Sequence, residues 1–288
     1  MSKIKKIKIL NKFKNDGKKF QTVLINGQKK LNKFFNKKED SIKFTNELNG
    51  YKFYFKNKFF KIPKLYEYSY KEKKLVLEYI YGKKVSPLDF KKIIYKIDRN
   101  KVFKTSIRKY LINLKKKYLL SNYNYIYLKK IKNIIPENKE ILIANTHGDF
   151  SNYNCIKSDM GFYVFDFEKF SKRIVLFDNL NWYLLYFHFN FAKIFNKKTS
   201  NYLTQKLLYN LIKLVNFFIK YINKKYIKYY RIDGKNFDIY LLLYYFEKIL
   251  ILELDYRNIS RQKNKKIAKN LIFLLKKNLE ILLNKYKD

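Results

Sequence analysis

Residues 147–154 read His-Gly-Asp-Phe-Ser-Asn-Tyr-Asn, and Asp166-Phe167-Glu168 follows twelve residues after Asn154. The first stretch fits the pattern H-x-D-x₄-N. In a chain of 288 residues with 2 His, roughly 0.01 such matches arise by chance. An apolar run at 141–144 precedes the pattern. Two short apolar runs at 155–156 and 162–165 follow it, separated by Ser158-Asp159-Met160-Gly161. The spacing predicts a strand, a polar loop, and a hairpin that folds Asp166 back towards Asn154.

That grouping of side chains suits the transfer of a phosphoryl group from ATP to a hydroxyl. The reaction needs a carboxylate to accept the hydroxyl proton and oxygen ligands to hold Mg²⁺ against the phosphates. Asp149 is the candidate base, with Asn154 and Asp166 as the candidate metal ligands. His147 reads as a packing and hydrogen-bonding residue of the loop. Cys155, the single cysteine, reads as a small buried hydrophobe. Glu168 divides evenly between a carboxylate supporting the site and a solvated one. His188, on a helix expected over 182–195, has no visible partner.

HGDFSNYN followed by Val164-Phe165-Asp166-Phe167-Glu168 resembles the aminoglycoside phosphotransferase/choline kinase-like family, small-molecule kinases with a protein-kinase-like fold. The likeness is tight over 141–180 and diffuse elsewhere. It implies an α+β, two-lobed chain, with a β-rich N-lobe over 1–81 and a helical C-lobe over 82–288. ATP would lie in the cleft between the lobes, with Mg²⁺. Asp149 matches the family's base, Asn154 and Asp166 its metal ligands, and Asp178 the buried aspartate that follows. The stretch 75–82 resembles the family's hinge, so backbone groups of Glu78 and Ile80 are expected to face the adenine. A strand lysine paired with a helix glutamate is also expected. Lys33 with Glu47 fits best, and Lys30 is the rival.

Outside the resemblance, the first 80 residues have a strand period. Runs at 20–25, 30–35, 52–60 and 75–80 are rich in β-branched and aromatic residues, with turn signals at 15–17, 26–27 and 49–50. A single helix is expected at 38–48. The segment 15–20 would cover phosphates, but it holds only Gly17 and departs from a glycine-rich loop. From about Pro87 the period becomes helical. Stripes run through Phe103, Ile107, Leu111, Leu114 and Tyr118, through 203–222, through 239–249, and through 267–282. These are core stripes and not cofactor boxes.

Composition bounds the partners. The net charge is +42, yet hydrophobic residues make up 47% of the chain, which excludes a disordered polycation. Of the 65 basic residues only 6 are Arg, the residue whose planar fork reads phosphates and guanine edges. Most of the charge therefore reads as the codon bias of an A/T-rich genome, and nucleic acid is the weaker partner. No apolar stretch reads as a leader or a membrane span, so a cytoplasmic protein is expected.

The acceptor is expected to be a small molecule or a glycan sugar with a free hydroxyl. The scattered carboxylates beyond Leu180 sit among many lysines, which favours an anionic or neutral acceptor over a polycation. Choline or ethanolamine is the alternative acceptor. The alternative from another class is a catalytically silent kinase-like module that binds nucleic acid or an anionic membrane through its lysines.

Overall fold

The computed structural model describes residues 7–15, 18–25, 27–35, 40–57, 60–86, 89, 93, 102–118, 120–184, 210, 213–217, 219–221, 223–257 and 262–286. The chain forms two compact units, residues 1–100 with 145–172, and residues 101–144 with 173–288. Architecture is α+β, as expected, with a β-sheet N-terminal region and a helical C-terminal part.

The first unit is built on five antiparallel strands: β1 (Ile7–Asn15), β2 (Lys18–Ile25), β3 (Gln28–Phe34), β4 (Leu65–Ser69) and β5 (Lys74–Glu78). They pair in the order β1-β2-β3-β5-β4. Register decides which side chains share a face, because residues alternate across a strand. Lys33 lies opposite Leu75, while Asn32 lies opposite Val76 and Lys30 opposite Glu78. Lys33 therefore shares a face with Leu31 and the buried Leu75 and Leu77, and Lys30 lies on the other face with Asn32 and Val76.

Between β3 and β4 the structure corrects the expectation. A helix at 38–48 and a strand at 52–60 are in fact one 18-residue helix, α1 (Asp40–Asn57). The aromatic run Phe53-Tyr54-Phe55 imitates a strand, but Phe55 is an exposed aromatic. The residues that α1 buries are Phe44, Glu47, Leu48, Tyr51 and Tyr54, a helical spacing. Asn49-Gly50, read as a turn, lies within the helix. A Cβ on Gly50 would come 2.4 Å from Phe167 Cβ, so the glycine lets α1 approach the segment after Asp166. Strand β1 and edge strand β4 were not anticipated.

A smaller sheet completes this unit, with β6 (Lys83–Lys84), β9 (Cys155–Ser158) and β10 (Gly161–Val164) in the order β10-β9-β6. The hairpin expected around Ser158–Gly161 is present, with Cys155 opposite Val164.

In the second unit β7 (Val102–Ser106) pairs antiparallel with β8 (Glu140–Thr146). β11 (Ser171–Ile174) lies on the other side of β8. Phe103, assigned to a helical stripe, belongs to β7. The helix starts only at α2 (Ile107–Lys117), where the Ser106 hydroxyl accepts the Lys109 N–H at 3.3 Å. Then come α3 (Asn122–Ile134), α4 (Lys224–Tyr229), α5 (Gly234–Arg257) and α6 (Gln262–Asn284). Most of the 203–222 stripe and His188 lie outside the described residues.

Residues 239–251 of α5 are all buried, including Glu247. The Glu247 carboxylate accepts the Arg173 Nε–H at 2.9 Å and the hydroxyls of Tyr110 and Tyr118. Lys117 Nζ stands 4.0 Å away. Burial and the Arg173 guanidinium, opposed by Glu247, push the Lys117 ammonium down to about 7. Among the described residues, no helix is long and apolar enough to cross a membrane.

Candidate active site

β8 delivers the chain into the H-x-D-x₄-N loop. At its end the Thr146 hydroxyl donates to the Ser171 carbonyl at 3.0 Å. Gly148 then adopts φ +81°, a left-handed conformation that glycine enters without a Cβ clash. His147 is fully buried and bonds in two directions. Its Nδ1 accepts the Asp149 N–H at 3.3 Å, and its Nε2 lies 2.9 Å from the Phe165 carbonyl. With Nδ1 accepting, Nε2 is the nitrogen that donates to the Phe165 carbonyl. His147 thus ties the loop to the residue before Asp166.

Asn154 closes the loop. Its Nδ2 donates to the Asp149 carbonyl at 2.8 Å, and its own carbonyl accepts the Phe165 N–H at 3.1 Å. Aromatic packing supplies the floor. Phe167 is fully buried, with ring centroids 5.0 Å from both Tyr51 and Tyr54 and 4.9 Å from His147. Such pairs contribute about 0.5–1.5 kcal/mol each beyond the area they bury. Asp166 sits between these anchors at φ +67°, a strained backbone that Asp tolerates better than most residues.

Four charged side chains converge there. Lys33 Nζ lies 2.6 Å from Glu47 Oε2, 2.6 Å from Asp166 Oδ1 and 2.8 Å from Glu168 Oε1. Burial alone would lower the Lys33 pKa, but Asp166, Glu47 and Glu168 outweigh it and hold the ammonium well above its ordinary value. Burial pushes the Glu47 carboxyl up to about 8 against the pull of Lys33, and the other two carboxylates push the same way.

Three carboxylates on one ammonium leave surplus negative charge, and Glu47 Oε1 is buried without a hydrogen-bond partner. Oxygens of Glu47, Asp166 and Glu168 all lie within 4.8 Å of one another. This donor set fits a hard divalent cation, which takes oxygen ligands.

The structure therefore brings Lys33, Glu47 and Asp166 into direct contact, and it links His147, Asp149 and Asn154 to the same segment through Phe165. Lys30 does not join them: its Nζ rests over the Tyr66 ring at 3.9 Å. Glu78 ends β5, where its N–H donates to the Lys64 carbonyl at 2.8 Å and its carboxylate accepts the Lys64 N–H. Ile80 follows, half-buried. Asp178 is buried in the second unit and helps to raise the Arg173 pKa. Burial pushes the Cys155 thiol well above its usual range, so it stays a packed, protonated thiol.

One contact decides between two readings of the sequence and another goes beyond it. Glu168 is buried on Lys33, and Lys169 Nζ stands 3.6 Å from Asp149 Oδ2. Both lie within three residues of Asp166, the signal that could have marked Lys169 as it marked Glu168. A cavity of about 450 Å³ in the second unit, bounded by Ser121, Glu253, Tyr256, Arg257, Lys269 and Ile272, includes none of these residues.

The difference between the two lysines is testable. Lys33→Ala is expected to destabilise the protein and to weaken any nucleotide binding at this cluster, because it leaves Glu47, Asp166 and Glu168 facing one another without their cation. Lys30→Ala removes one cation–π contact, worth about 0.5–1 kcal/mol at a partly exposed site. Steady-state KM for ATP and melting curves of both variants check the ordering. Equal effects would mean that the strand register does not matter.

No protein-family model matches the chain, and no curated protein sequence does. Solved structures do resemble it. Choline kinase LicA from Streptococcus pneumoniae is 14% identical, with a TM-score of 0.57 over 96% of this chain and 93% of that one. A Plasmodium vivax ethanolamine kinase is 14% identical, with a TM-score of 0.56 over 98% and 83%. A Ralstonia eutropha JMP134 protein with a provisional aminoglycoside phosphotransferase assignment is 12% identical, with a TM-score of 0.56 over 99% and 94%. The chain has the protein-kinase-like fold of these phosphotransferases.

Proposed function

We propose that the protein is an ATP-dependent phosphotransferase that moves the γ-phosphate to a hydroxyl of a small molecule. One observation carries the reading: Lys33 Nζ joins Glu47 and Asp166, two carboxylates 119 residues apart, beside the H-x-D-x₄-N loop. An ordinary solvated lysine has no reason to be 4% exposed among three acids.

In this reading Asp149 accepts the proton of the acceptor hydroxyl as the phosphoryl group transfers. His147 and Asn154 fix the loop, so the Asp149 carboxylate keeps its aim. Lys33, oriented by Glu47, reaches the nucleotide phosphates. The backbone of Glu78 and Ile80 would hold the adenine. The Glu78 N–H is already paired with Lys64, so its carbonyl and the Ile80 N–H are the groups offered.

Mg²⁺ would be held by Asp166 and Asn154 Oδ1, with Glu168 beside them. When bound it would neutralise phosphate charge. Likeness to kinases supports the fold level of this reading, and the LicA structure with AMP concerns a protein of the same fold. The surplus negative charge around Lys33 supports the cation.

Asp166→Ala tests it. Calorimetry of ATP binding should show Mg²⁺-dependent tightening in the wild type and none in the variant, because a hard cation needs its carboxylate. The same Mg²⁺ dependence in both proteins would refute the metal assignment.

A further inference from the structure

β6 is only two residues long, yet it is pinned against the catalytic loop. Lys83 and Lys84 pair with Lys157 and Ile156 of β9. Gly82 permits that approach, since a Cβ there would meet Lys157 O at 2.3 Å and Ile156 Cγ2 at 2.4 Å. Asn152 of the loop donates its Nδ2 to the Val85 carbonyl at 3.4 Å. The Lys84 ammonium then rests over the exposed ring of Tyr153 at 3.9 Å.

Tyr153 lies four residues from Asp149 in the same loop, a separation that the chain can stretch to about 14 Å at most. Among the described residues no carboxylate pairs with Lys83 or Lys84. Lys157 is taken by Asp89 at 3.1 Å. Lys169 beside Asp149 adds positive charge to the same loop. The described carboxylates at the loop, Asp149, Asp166 and Glu168, are all engaged by lysines.

We propose that Lys84, set on Tyr153, is a specificity-determining residue that selects an acceptor bearing an anionic group, a phosphate or carboxylate, beside the hydroxyl-bearing part that reaches Asp149. This rests on the phosphotransferase reading above and names its substrate class. A cationic acceptor would need a carboxylate at this position to offset its charge, and the loop offers an ammonium instead. The Tyr153 ring holds the Lys84 ammonium in place, and Lys84 meets the anion.

The test uses the full chain with Mg·ATP and five probes: glucose 6-phosphate, glucuronate, glucose, choline and kanamycin. Mg·ATP binding is first measured by calorimetry in the wild type, Lys84→Gln and Lys84→Glu. It should be unchanged by either substitution. Binding and ADP release should favour the two anionic probes over glucose. Lys84→Glu should weaken the anionic probes about tenfold, with Lys84→Gln in between, as expected for reversing one exposed charge.

Comparing glucose 6-phosphate with glucuronate identifies which anion is preferred. Choline or kanamycin outperforming the anions would overturn the acceptor class and leave the kinase reading intact. So would a Lys84→Glu defect confined to ATP, or a wild type that binds Mg·ATP but neither anion. Failure to bind Mg·ATP at all would overturn both.

Discussion

Asp149→Asn is expected to cut turnover by about 10²–10⁴, the usual span for losing a general base, or roughly 2.7–5.4 kcal/mol of barrier. The substitution is nearly isosteric and spares the loop. Asp149 is held by its backbone, through His147 Nδ1 and Asn154 Nδ2, while its carboxylate reaches only Lys169 among the contacts described above. The side chain is 35% exposed, so melting should shift by less than about 2 °C. Mg·ATP affinity should stay near wild type, because kcat carries the loss. Turnover within a few-fold of wild type, in a folded variant, would remove Asp149 from the role of base.

The second large effect is one of stability. Glu247→Ala should destabilise the protein by about 3–5 kcal/mol, because it removes the carboxylate paired with the buried Arg173 guanidinium and leaves only the weaker pull of Asp178. Arg173 is 1% exposed. Tyr110 and Tyr118, both buried, would lose an acceptor at the same time. Replacing both charges, with Arg173→Met and Glu247→Leu together, should recover much of the loss, since a buried pair and an apolar pair of similar volume differ little. Urea midpoints of the wild type and the two variants measure this. A single-variant loss below about 1 kcal/mol would show that the network is more hydrated than its burial indicates.

The grouping of residues at the candidate site was the most legible part of the sequence because they are close along the chain. Asp149 and Asn154 lie in one loop, and a tight hairpin of two four-residue strands carries the chain on to Asp166. Local geometry alone folds Asp166 back beside Asn154. The broad change from strand to helical period was equally readable, because hydrophobic spacing reports the face that an element buries. The α+β class followed from it.

Elsewhere local pattern misled. Residues 52–60 are as rich in aromatics as a strand, but 51–57 continue α1, since Tyr51 and Tyr54 must reach Phe167 and Gly50 must lie against it. That partner is more than a hundred residues away, and no window over 40–60 contains it. Phe103 failed in the opposite sense, because pairing with Ile143 in β8 claimed it for a strand.

Strand alternation put Lys30 and Lys33 on opposite faces and left open which face meets the acids. Only the packing of α1, which brings Glu47 to Lys33, makes that choice. The same holds for Glu168 and Lys169, whose neighbours depend on the turn at Asp166. Short-range order was written in spacing and turn residues. The electrostatic assignments were not, because a charge is defined by what is packed against it, and in a chain with 65 basic residues only three-dimensional burial distinguishes one lysine from the rest.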